Sequence, residues 1–335
     1  MKVLFIGGTG NISSACSRLA VAKGIELYHL NRGNVDADIP GSVITFNADI
    51  ENKEDVNNII GDHNFDVVAN FIAFTPDDIR RDIELFKSKT KQYIFISSAS
   101  VYQKVGGYPV ITESTPLYNP YWDYSRDKIK CEEILSEEFR NSGFPITIVR
   151  PSLTYDTVIP VAIGSWTDYT IIDRMKKGKK VIIHGDGTSL WSVTHSDDFA
   201  KGFVGLLGHQ QAIGHSFHIT TDELLTWNQI YEAVAAAAGA ELNAVHIASD
   251  FICDVGDKIG WEWMRGSLLG DKSVSTIFDN SKIKRFVPEF NATITFKEGI
   301  KRTVEWFEKN PKRMVIDENN NNFIETVIEK YSGGK

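Results

Sequence analysis

Residues 3–13 read VLFIGGTGNIS, and this stretch decides the fold of the 335-residue chain. Its four leading apolar residues predict a buried strand, and the apolar spacing from Ile12 to Ala20 predicts a helix. The glycine cluster is therefore the turn between them, where a Cβ would obstruct a close approach to the backbone. Unpaired N–H groups at a helix N-terminus bind phosphate groups. We expect a pyrophosphate-binding turn here; the alternative is a glycine-rich turn without a ligand.

The first half of the chain repeats this alternation of strands and helices. Several of its strands are apolar on both faces, as in a parallel sheet that helices cover on both sides. Lys23 and Gly24 end the first helix with a cation and a residue suited to a left-handed cap. The pattern predicts an α/β fold, a Rossmann-type doubly wound parallel sheet. The predicted strands are Val3–Ile6, Glu26–Leu30, Val43–Asn47, Asp66–Ile72, Tyr93–Ser97 and Ile146–Val149.

After about Arg150 the alternation loosens, and we interpret the second half as a smaller α+β domain. The expected boundaries are 1–155 for a nucleotide-binding domain, with returns to its sheet near 190–220, and 156–335 for a substrate-binding domain. Further predicted features are helices at Trp166–Lys176 and Trp227–Ala238, capping boxes at Thr226–Gln229 and Thr295–Glu298, and a surface turn at Asn319–Asn322 before a short last helix.

Composition narrows the class of protein. The net charge of −8 disfavours nucleic acid as a partner, because nucleic-acid binders normally carry a basic surface. The three cysteines, Cys16, Cys131 and Cys253, are far apart and fit a reducing compartment. No apolar run reaches the ~18–20 residues that span a bilayer, and we expect no signal peptide, because the apolar segment Val3–Ile6 is too short for one. We expect a cytoplasmic protein without membrane contact.

Tyr124 and Lys128 are spaced i, i+4 and lie on one face of a predicted helix that continues to Phe139. A tyrosine with a pKa of about 10 is a poor base at neutral pH, but a nearby ammonium group, together with a nicotinamide ring that carries positive charge, favours the phenolate and lowers that pKa. The pair is suited to proton exchange with a carbonyl or alcohol oxygen. A second pair at this spacing, Tyr331 and Lys335, lies in a Ser-Gly-Gly tail that we expect not to be helical.

Hydroxyl groups end the fifth predicted strand, at Ser97, Ser98 and Ser100. Doubly wound sheets bind ligands at the carboxyl ends of their strands. We therefore expect one of these hydroxyls to donate to a substrate oxygen. Considered alone, the serines would be as typical of a turn at a strand end.

Cofactor choice depends on the end of the second strand, where Asn31 and Arg32 stand. An acid there would bind the adenosine ribose hydroxyls and repel a 2′-phosphate. Asn31 is uncharged and Arg32 can pair with a phosphate, which favours NADP over NAD unless Arg32 points to solvent. Asp49, after the third strand, is placed to accept from the adenine amino group or to cap a helix over Ile50–Ile60.

Two other patterns are weaker. His215 and His218, at i and i+3 on a strand, face opposite sides of the sheet. We interpret them as structural residues and expect no metal site. Four aromatic residues of the second half could stack on a substrate or pack in the core: Trp166, Tyr169, Trp261 and Trp263.

Together the motifs resemble the extended short-chain dehydrogenase/reductases, also called the NAD-dependent epimerase/dehydratase family. The resemblance covers nearly the whole chain. Its motifs are 7–13, 97–102, 124–128, Ile148-Val149-Arg150-Pro151, Gly185-Asp186-Gly187, His195-Ser196-Asp197-Asp198 and a helix over Phe296–Phe307. The glycine turn and the Asn-Arg-Gly after the second strand are closer to an atypical branch that is similar to chloroplast stem-loop-binding proteins.

This resemblance implies an NAD(P)-dependent oxidoreductase that transfers a hydride at a hydroxyl or keto carbon of a sugar-like or other small carbonyl substrate, as an epimerase or a reductase. The catalytic residues it implies are Ser98, Tyr124 and Lys128. The nicotinamide would be lined by 71–73 and 151–152. The complete expected cofactor site is Gly7, Thr9, Gly10, Asn11, Ile12, Asn31, Arg32, Asp49, Ile50, Phe71, Ile72, Ala73, Ser97, Tyr124, Lys128, Pro151 and Ser152.

Three features depart from the family's pattern. Ala99 and Ser100 stand where its sugar-nucleotide dehydratases carry an Asp-Glu pair, so we do not expect that elimination. Trp191 stands where its nucleotide-sugar enzymes place an Arg for the diphosphate, which disfavours such a substrate. The helix predicted over Asp77–Lys87 lacks the Asn that often completes the proton relay.

The main alternative is a cofactor-binding sensor or RNA-associated protein without turnover. The intact set of Ser98, Tyr124 and Lys128 favours an enzyme, since a pure binding protein does not need it. The resemblance also implies a homodimer, formed through helices near Asp77–Lys87 and Tyr124–Arg140. On the second helix, the apolar Ile129 and Leu135 are expected to be exposed.

Overall fold

The structure is a computed structural model that describes residues 1–33, 38–104 and 108–333. Its strands are β1 (Lys2–Ile6), β2 (Glu26–Asn31), β3 (Ile44–Asn47), β4 (Val67–Asn70), β5 (Tyr93–Ile96), β6 (Val110–Ile111), β7 (Ile146–Pro151), β8 (Leu153–Tyr155), β9 (Val181–His184), β10 (Leu190–Trp191), β11 (Val193–His195), β12 (Ser216–Ile219), β13 (Leu225–Thr226), β14 (Ala244–Ile247) and β15 (Ile277–Phe278). Its α-helices are α1 (Ser13–Ala22), α2 (Lys53–Ile60), α3 (Pro76–Phe86), α4 (Asp123–Ser142), α5 (Thr170–Lys176), α6 (Ser196–Leu206), α7 (Trp227–Ala237), α8 (Ser249–Asp257), α9 (Trp263–Ser267), α10 (Ser281–Phe286), α11 (Phe296–Glu308) and α12 (Glu318–Gly333).

Seven strands form one parallel sheet in the order β12-β7-β5-β4-β1-β2-β3. The six strands predicted in the first half all belong to it, so the predicted Rossmann-type sheet is confirmed. From β1 towards one edge of the sheet the strands follow in the order β1, β2, β3, and from β4 towards the other edge they follow in the order β4, β5, β7, β12. These two neighbours therefore mark the place where the strand order reverses, and such a place is where doubly wound sheets bind ligands.

The two faces of the sheet are buried under different helices. Val3 and Phe5 of β1 point to a core shared with α1 and α6, while Leu4 and Ile6 point to a core shared with α2, α3 and α4. Alternate residues of a strand face opposite sides, so each strand needs apolar residues throughout. This requirement explains the continuous apolar runs of the sequence.

The first helix ends as predicted. The backbone N–H of Lys23 donates to the carbonyl of Leu19, and Gly24 follows with φ +75°. The second helix begins later than predicted, at Lys53, because the side chain of Asn52 accepts from the N–H of Asp55 and caps it.

Several predicted features of the second half are confirmed. Both capping boxes, at Thr226 and Thr295, are present. The helix over Phe296–Phe307 is α11, and the helix over Trp227–Ala238 is α7, one residue shorter. The predicted helix over Trp166–Lys176 is shorter, since α5 starts at Thr170. The strand β12 lies at the edge of the main sheet, beside β7.

Two predictions at the end of the chain are wrong. Asn319–Asn322 lie inside α12 instead of forming a surface turn, and the helix continues through Tyr331 to Gly333. Lys335, which completes the second tyrosine–lysine pair, lies outside the described residues. The apolar face of α12 packs in the core, and tertiary packing of this kind outweighs the poor helix propensity of asparagine. The buried apolar residues of this face are Phe323, Ile324, Val327 and Ile328.

The expected exposure of Leu135 on α4 is also wrong. Leu135 is completely buried, one turn after the equally buried Cys131, because this side of α4 packs on the sheet. Ile129 is half-buried. Within the described residues, no helix combines the length and apolarity that crossing a membrane requires.

Candidate active site

A cavity of about 710 Å³ lies at the carboxyl ends of the parallel strands. Its walls include the glycine turn after β1, Phe71 and Ile72 after β4, the end of β5 and the end of β7. The cavity therefore lies beside the reversal of strand order between β1 and β4. The sheet topology alone predicts a ligand site at this position.

One serine holds the glycine turn together. Ser13 Oγ donates to the carbonyl of Gly7 at 2.7 Å and accepts the N–H of Gly10 at 2.8 Å. Gly7 has a φ of +78°, and a Cβ on Gly8 would lie 2.5 Å from the ring of His29. A Cβ on Gly10 would meet only Ser13 Oγ, at 3.4 Å. The backbone conformation thus requires a glycine at position 7, and the contact with His29 requires one at position 8. At Gly10 the missing side chain leaves open space beside the turn.

The first turn of α1 has no side-chain cap among the described residues. Residues Gly10–Ser13, which lead into α1, line the cavity. The side chain of Asn11 reaches elsewhere, donating to the carbonyl of Thr154 at 3.0 Å and accepting from the N–H of Thr157 at 3.1 Å. Backbone N–H groups and the positive end of the helix dipole therefore remain available, and they fit the phosphates of a dinucleotide.

The predicted adenosine residues lie outside the cavity wall. Asn31 Oδ1 accepts the N–H of Gly8 at 3.0 Å, so this side chain supports the glycine turn. The guanidinium of Arg32 lies 3.9 Å from the carboxylate of Asp49, and both side chains are largely exposed. Asp49 Oδ1 accepts the N–H of Glu51 at 3.1 Å, so Asp49 makes a turn before α2 and does not cap it.

Tyr124 and Ser98 line the same cavity. Ser98 Oγ lies 2.9 Å from Ser100 Oγ, which accepts the hydroxyl of Ser125 at 2.7 Å. This row of hydroxyls joins the end of β5 to the start of α4. The ring of Trp122 lies 4.9 Å from that of Tyr124, between ring centroids, and restricts its position.

Lys128 lies beneath this wall and is completely buried. Its Nζ donates to the carbonyls of Ala73 at 2.6 Å and Ile96 at 2.8 Å, and lies 5.7 Å from the ring centroid of Tyr124. Burial lowers the pKa of Lys128 to about 8. Ala73 thus contributes a carbonyl to the lysine.

In the protein without cofactor, the pKa of Tyr124 is not lowered. Burial raises the pKa of Tyr124 to about 12, and the neighbouring hydroxyl of Ser98 opposes this rise only in part. The ammonium group of Lys128 donates to two backbone carbonyls, and burial remains the largest cause of the shift. Tyr124 is consequently a neutral proton donor at neutral pH.

A buried ion pair lies behind the cavity wall that contains Ser98 and Tyr124. Arg150 donates to both carboxylate oxygens of Glu132, at 2.9 and 2.5 Å, and both side chains are buried. Ser97 Oγ donates to the same carboxylate at 2.5 Å. Glu132 lies on α4, one helical turn after Lys128. Its contacts with Ser97 and Arg150 therefore fix α4 against the ends of β5 and β7.

Part of the opposite wall was not predicted from the sequence. Asn119 Nδ2 donates to the carbonyls of Ser100 at 2.9 Å and Gly270 at 2.8 Å, and so connects the catalytic segment to a π-helical turn over Leu268–Lys272. Trp122, Asp271 and Lys272 line the cavity beside Tyr124. No local pattern marks these residues, since distant segments bring them together.

The aromatic residues considered above divide into two groups. Trp166 and Trp263 line the cavity, as does Trp191. Tyr169 is buried in the core, and Trp261 packs 4.8 Å from Phe323, between ring centroids.

The two histidines differ as well. His218 is buried and bonds to Tyr102 Oη at 3.1 Å and to the carbonyl of Asp279 at 2.8 Å. These contacts give it a structural role, as predicted. The ring of His215 lies 5.4 Å from that of Phe286, between centroids.

The structure brings most of the predicted cofactor and catalytic residues to one cavity. Those that line it are Gly7, Gly10, Asn11, Ile12, Phe71, Ile72, Ser97, Ser98, Tyr124, Pro151 and Ser152. Outside the lining lie Thr9, Asn31, Arg32, Asp49, Ile50, Ala73 and Lys128.

Comparison with known sequences identifies the family. The sequence model of the NAD dependent epimerase/dehydratase family matches residues 3–220, more than half of the chain. The chain belongs to this family. The family is NAD-dependent, and the relatives of the chain include sugar-nucleotide enzymes.

Two curated relatives illustrate its range. The chloroplast stem-loop binding protein of 41 kDa b of Arabidopsis thaliana is 24% identical over 251 residues, which cover 71% of this chain and 63% of that protein. The UDP-glucose 4-epimerase of Lactobacillus helveticus is 29% identical over 170 residues, 45% of this chain and 51% of the enzyme. The chain thus spans between about half and two thirds of the length of these relatives.

Solved structures share the fold. An epimerase from Methanothermobacter thermautotrophicus superposes with a TM-score of 0.75 at 16% identity, over 93% of this chain and 94% of the other. The UDP-glucuronic acid 4-epimerase from Bacillus cereus, in complex with UDP-glucuronic acid and NAD, gives a TM-score of 0.72 at 20% identity, over 92% and 99% of the two chains.

Proposed function

We propose that this family member is an NAD(P)-dependent oxidoreductase that transfers a hydride at a hydroxyl or keto carbon of a sugar-like or other small carbonyl substrate. One observation carries the proposal: Ser98 and Tyr124 line the same cavity as the open N-terminus of α1, with Lys128 one helical turn below. A protein that only binds a nucleotide has no need of this set.

The residues divide the work by position. The backbone N–H groups of residues 11–13 would bind the cofactor's phosphates, and Phe71, Ile72, Pro151 and Ser152 would line its nicotinamide. The bound nicotinamide supplies or accepts the hydride. Lys128 lies behind the cavity lining and would hold the nicotinamide ribose hydroxyls with the N–H donor that Ala73 and Ile96 leave available.

Proton transfer belongs to Tyr124. With a pKa of about 12, its hydroxyl is neutral at physiological pH and donates a proton to a substrate oxygen that gains negative charge. Ser98 orients that oxygen by a hydrogen bond. In the reverse direction Tyr124 must lose its proton first, and the ammonium of Lys128 together with a cationic nicotinamide favours the phenolate.

Two residues narrow the chemistry. Ala99 and Ser100 offer no acid–base pair beside Tyr124 for water elimination, which favours an epimerase or a reductase. Trp191 lines the cavity at the position where nucleotide-sugar enzymes of the family place an Arg. A substrate without a nucleoside diphosphate is therefore favoured.

For the cofactor itself, we propose that NADP(H) binds several-fold tighter than NAD(H). Arg32 is exposed, and its contact with Asp49, at 3.9 Å, is weak enough to be replaced by a 2′-phosphate. Calorimetric titration with both cofactors tests this preference, and equal or reversed affinities would contradict it.

A substrate screen tests the reaction. Purified chain, NAD(P)(H) and a panel of sugars, sugar acids and small ketones should produce a change in nicotinamide absorbance with at least one substrate. A tightly held cofactor that copurifies would indicate an epimerase, which keeps its cofactor through a full cycle; an exchangeable one would indicate a reductase. Cofactor binding without turnover across the panel would contradict the proposal.

That last outcome would favour a second candidate, a cofactor-binding sensor or RNA-associated protein. The observation in its favour is the similarity to the chloroplast stem-loop binding protein. The acidic net charge of −8 speaks against RNA. Binding to a structured RNA hairpin at physiological salt would decide for this candidate.

For the assembly, we propose a homodimer formed through α3 and α4 as an isologous helical bundle. Since Leu135 is buried, the apolar contribution of α4 must come from other positions, such as Ile129 and Phe139. Light scattering at micromolar concentration should give twice the mass of the chain; a monomer would contradict this arrangement.

A further inference from the structure

Three charged side chains form a compact cluster beside the catalytic cavity. The ammonium of Lys104 pairs with Asp271 Oδ1. Lys272 Nζ donates to the other carboxylate oxygen, Asp271 Oδ2, at 3.3 Å and to Ser267 Oγ at 3.0 Å. The side chains of Lys104, Asp271 and Lys272 are only 6%, 13% and 4% exposed. Asp271 and Lys272 line the cavity.

This cluster sets two buried lysine side chains against one carboxylate; burial lowers the pKa of Lys104, and its pairing with Asp271 opposes that shift. In residues 1–33, 38–104 and 108–333, Asp271 is the only carboxylate that pairs with either lysine. Burial alone would raise the pKa of Asp271, but the two ammonium groups lower it below its usual value, so the carboxylate is ionised. A buried charge without a partner is costly. The side chain of Lys272 contacts Asp271, Ser267 and the rings of Trp122 and Trp166, and an anion in the cavity would add the second negative charge that the two lysines lack.

The position of Lys272 is fixed from behind. Its backbone carbonyl accepts from Trp227 Nε1 at 3.1 Å and from His184 Nε2 at 3.0 Å. It ends the π-helical turn over Leu268–Lys272, a rare conformation that is frequent at functional sites. The same turn is tied to the catalytic segment by Asn119. The ammonium of Lys272 is thus presented by a rigid support.

The indole N–H of Trp191 is a second buried donor that has no acceptor among the described residues. Trp191 is 1% exposed and lines the cavity. The ammonium of Lys104 lies 4.7 Å from the centroid of this indole. A buried N–H without an acceptor costs free energy that a ligand oxygen would recover.

We propose that Lys272 and Trp191 form an anion subsite that takes one carboxylate or phosphate monoester group of the substrate. The inference rests on the proposed hydride transfer, because it specifies the substrate of that reaction. The ring of Trp122 connects the two places: its centroid lies 5.6 Å from Lys272 Nζ and 4.9 Å from the ring centroid of Tyr124. The anionic group and the reacting carbon therefore belong to one small molecule, a sugar acid or a sugar phosphate.

Indole fluorescence measures this binding without turnover, because Trp122, Trp166, Trp191 and Trp263 line the cavity. We would titrate the cofactor-loaded chain with D-glucuronate, D-glucose 6-phosphate and neutral D-glucose. At least one of the two acids should bind ten or more times tighter than glucose. Binding of glucuronate alone identifies a carboxylate subsite, and binding of the phosphate ester alone identifies a phosphate subsite.

The decisive variant is Lys272→Met, with Lys284→Met as its control. Lys284 also pairs with one aspartate, Asp222, but does not line the cavity. Lys272→Met should abolish the preference for the acid and leave the weak binding of glucose unchanged, and Lys284→Met should behave as wild type. Lys272→Arg should retain the preference, which separates a lost charge from a damaged fold.

Three results would overturn the subsite: no acid binds, glucose binds as tightly as the acids, or Lys272→Met keeps the preference. These failures remain distinguishable from failure of the proposed reaction. The variant Tyr124→Phe should lose turnover and still bind the acid with the affinity of wild type. If it loses both, Tyr124 has a role other than the one proposed.

Discussion

The two walls of the cavity use opposite means to bind a ligand. The wall formed by residues 7–13 presents backbone N–H groups and the absence of a side chain at Gly10. The wall formed by Trp122, Trp191 and Lys272 presents indole rings and a buried ammonium group. A backbone wall suits phosphates that many related proteins bind alike. The side-chain wall depends on residue identity, so we expect substrate choice to depend on that wall.

The largest expected effect concerns the residue between the two walls. Tyr124→Phe removes the proton that is exchanged and keeps the packing of the ring, so turnover should fall by ~10²–10⁴-fold while cofactor affinity stays within about twofold. The neighbouring Tyr121 is exposed, and Tyr121→Phe is the matched control with normal turnover. Full turnover in Tyr124→Phe would show that the catalytic assignment is wrong.

The next effect concerns Lys128 and is measured as stability. Its folded-state pKa of about 8 lies below the ~10.4 of an unfolded lysine, so its charge destabilises the fold below about pH 8 and this cost disappears as the pH rises towards about 10.4. In urea unfolding without cofactor, wild type should gain about 3 kcal/mol relative to Lys128→Met between about pH 7 and pH 11. Parallel pH profiles of the two proteins would refute the burial of a charged lysine.

Within the backbone wall, substitution of Gly8 should reduce stability, whereas substitution of Gly10 should reduce cofactor affinity. A Cβ on Gly8 lies 2.5 Å from the ring of His29, so Gly8→Ala should lose about 1–3 kcal/mol of unfolding free energy. A Cβ on Gly10 meets no closer atom than Ser13 Oγ at 3.4 Å. Gly10→Ala should therefore keep its stability within about 0.5 kcal/mol and lose affinity for the cofactor about tenfold. Equal stability losses in both variants would remove this distinction.

The smallest expected effect concerns Arg32, which lies outside the cavity lining beside the backbone wall. Arg32→Ala should weaken NADPH about two- to fivefold and leave NADH unchanged, because an exposed charge contact contributes only about 0.2–1 kcal/mol. Calorimetry at low and high salt measures it, and the difference should shrink at high salt. An equal loss for both cofactors would place Arg32 away from the 2′-phosphate.

The backbone wall could be predicted because its physics is local. The run from Val3 to Ile6, the glycines that follow and the apolar spacing of α1 are neighbours in sequence, and the spacing of Tyr124 and Lys128 is that of one helical turn. The strands of the main sheet were predictable for the same reason, since each is a continuous apolar run.

The other wall was not predictable, because its contacts join distant segments. Trp122 and Lys272 meet because the π-helical turn packs on Asn119 and Trp122, and no spacing in the sequence indicates this contact. The same limit explains the error at Asn319–Asn322, where core packing decides for a helix, and the raised pKa of Tyr124 in the protein without cofactor, where burial is the largest cause.

The most direct test of the central claim is a calorimetric titration of the purified chain, freed of any copurified nucleotide, with NADPH and NADH. Binding of one cofactor per chain in the range of ~1–100 μM is the expected result, and Gly10→Ala should weaken it without a change in stability. If neither cofactor gives measurable heat at about 1 mM, the glycine turn is a turn without a ligand, and the account of hydride transfer is wrong.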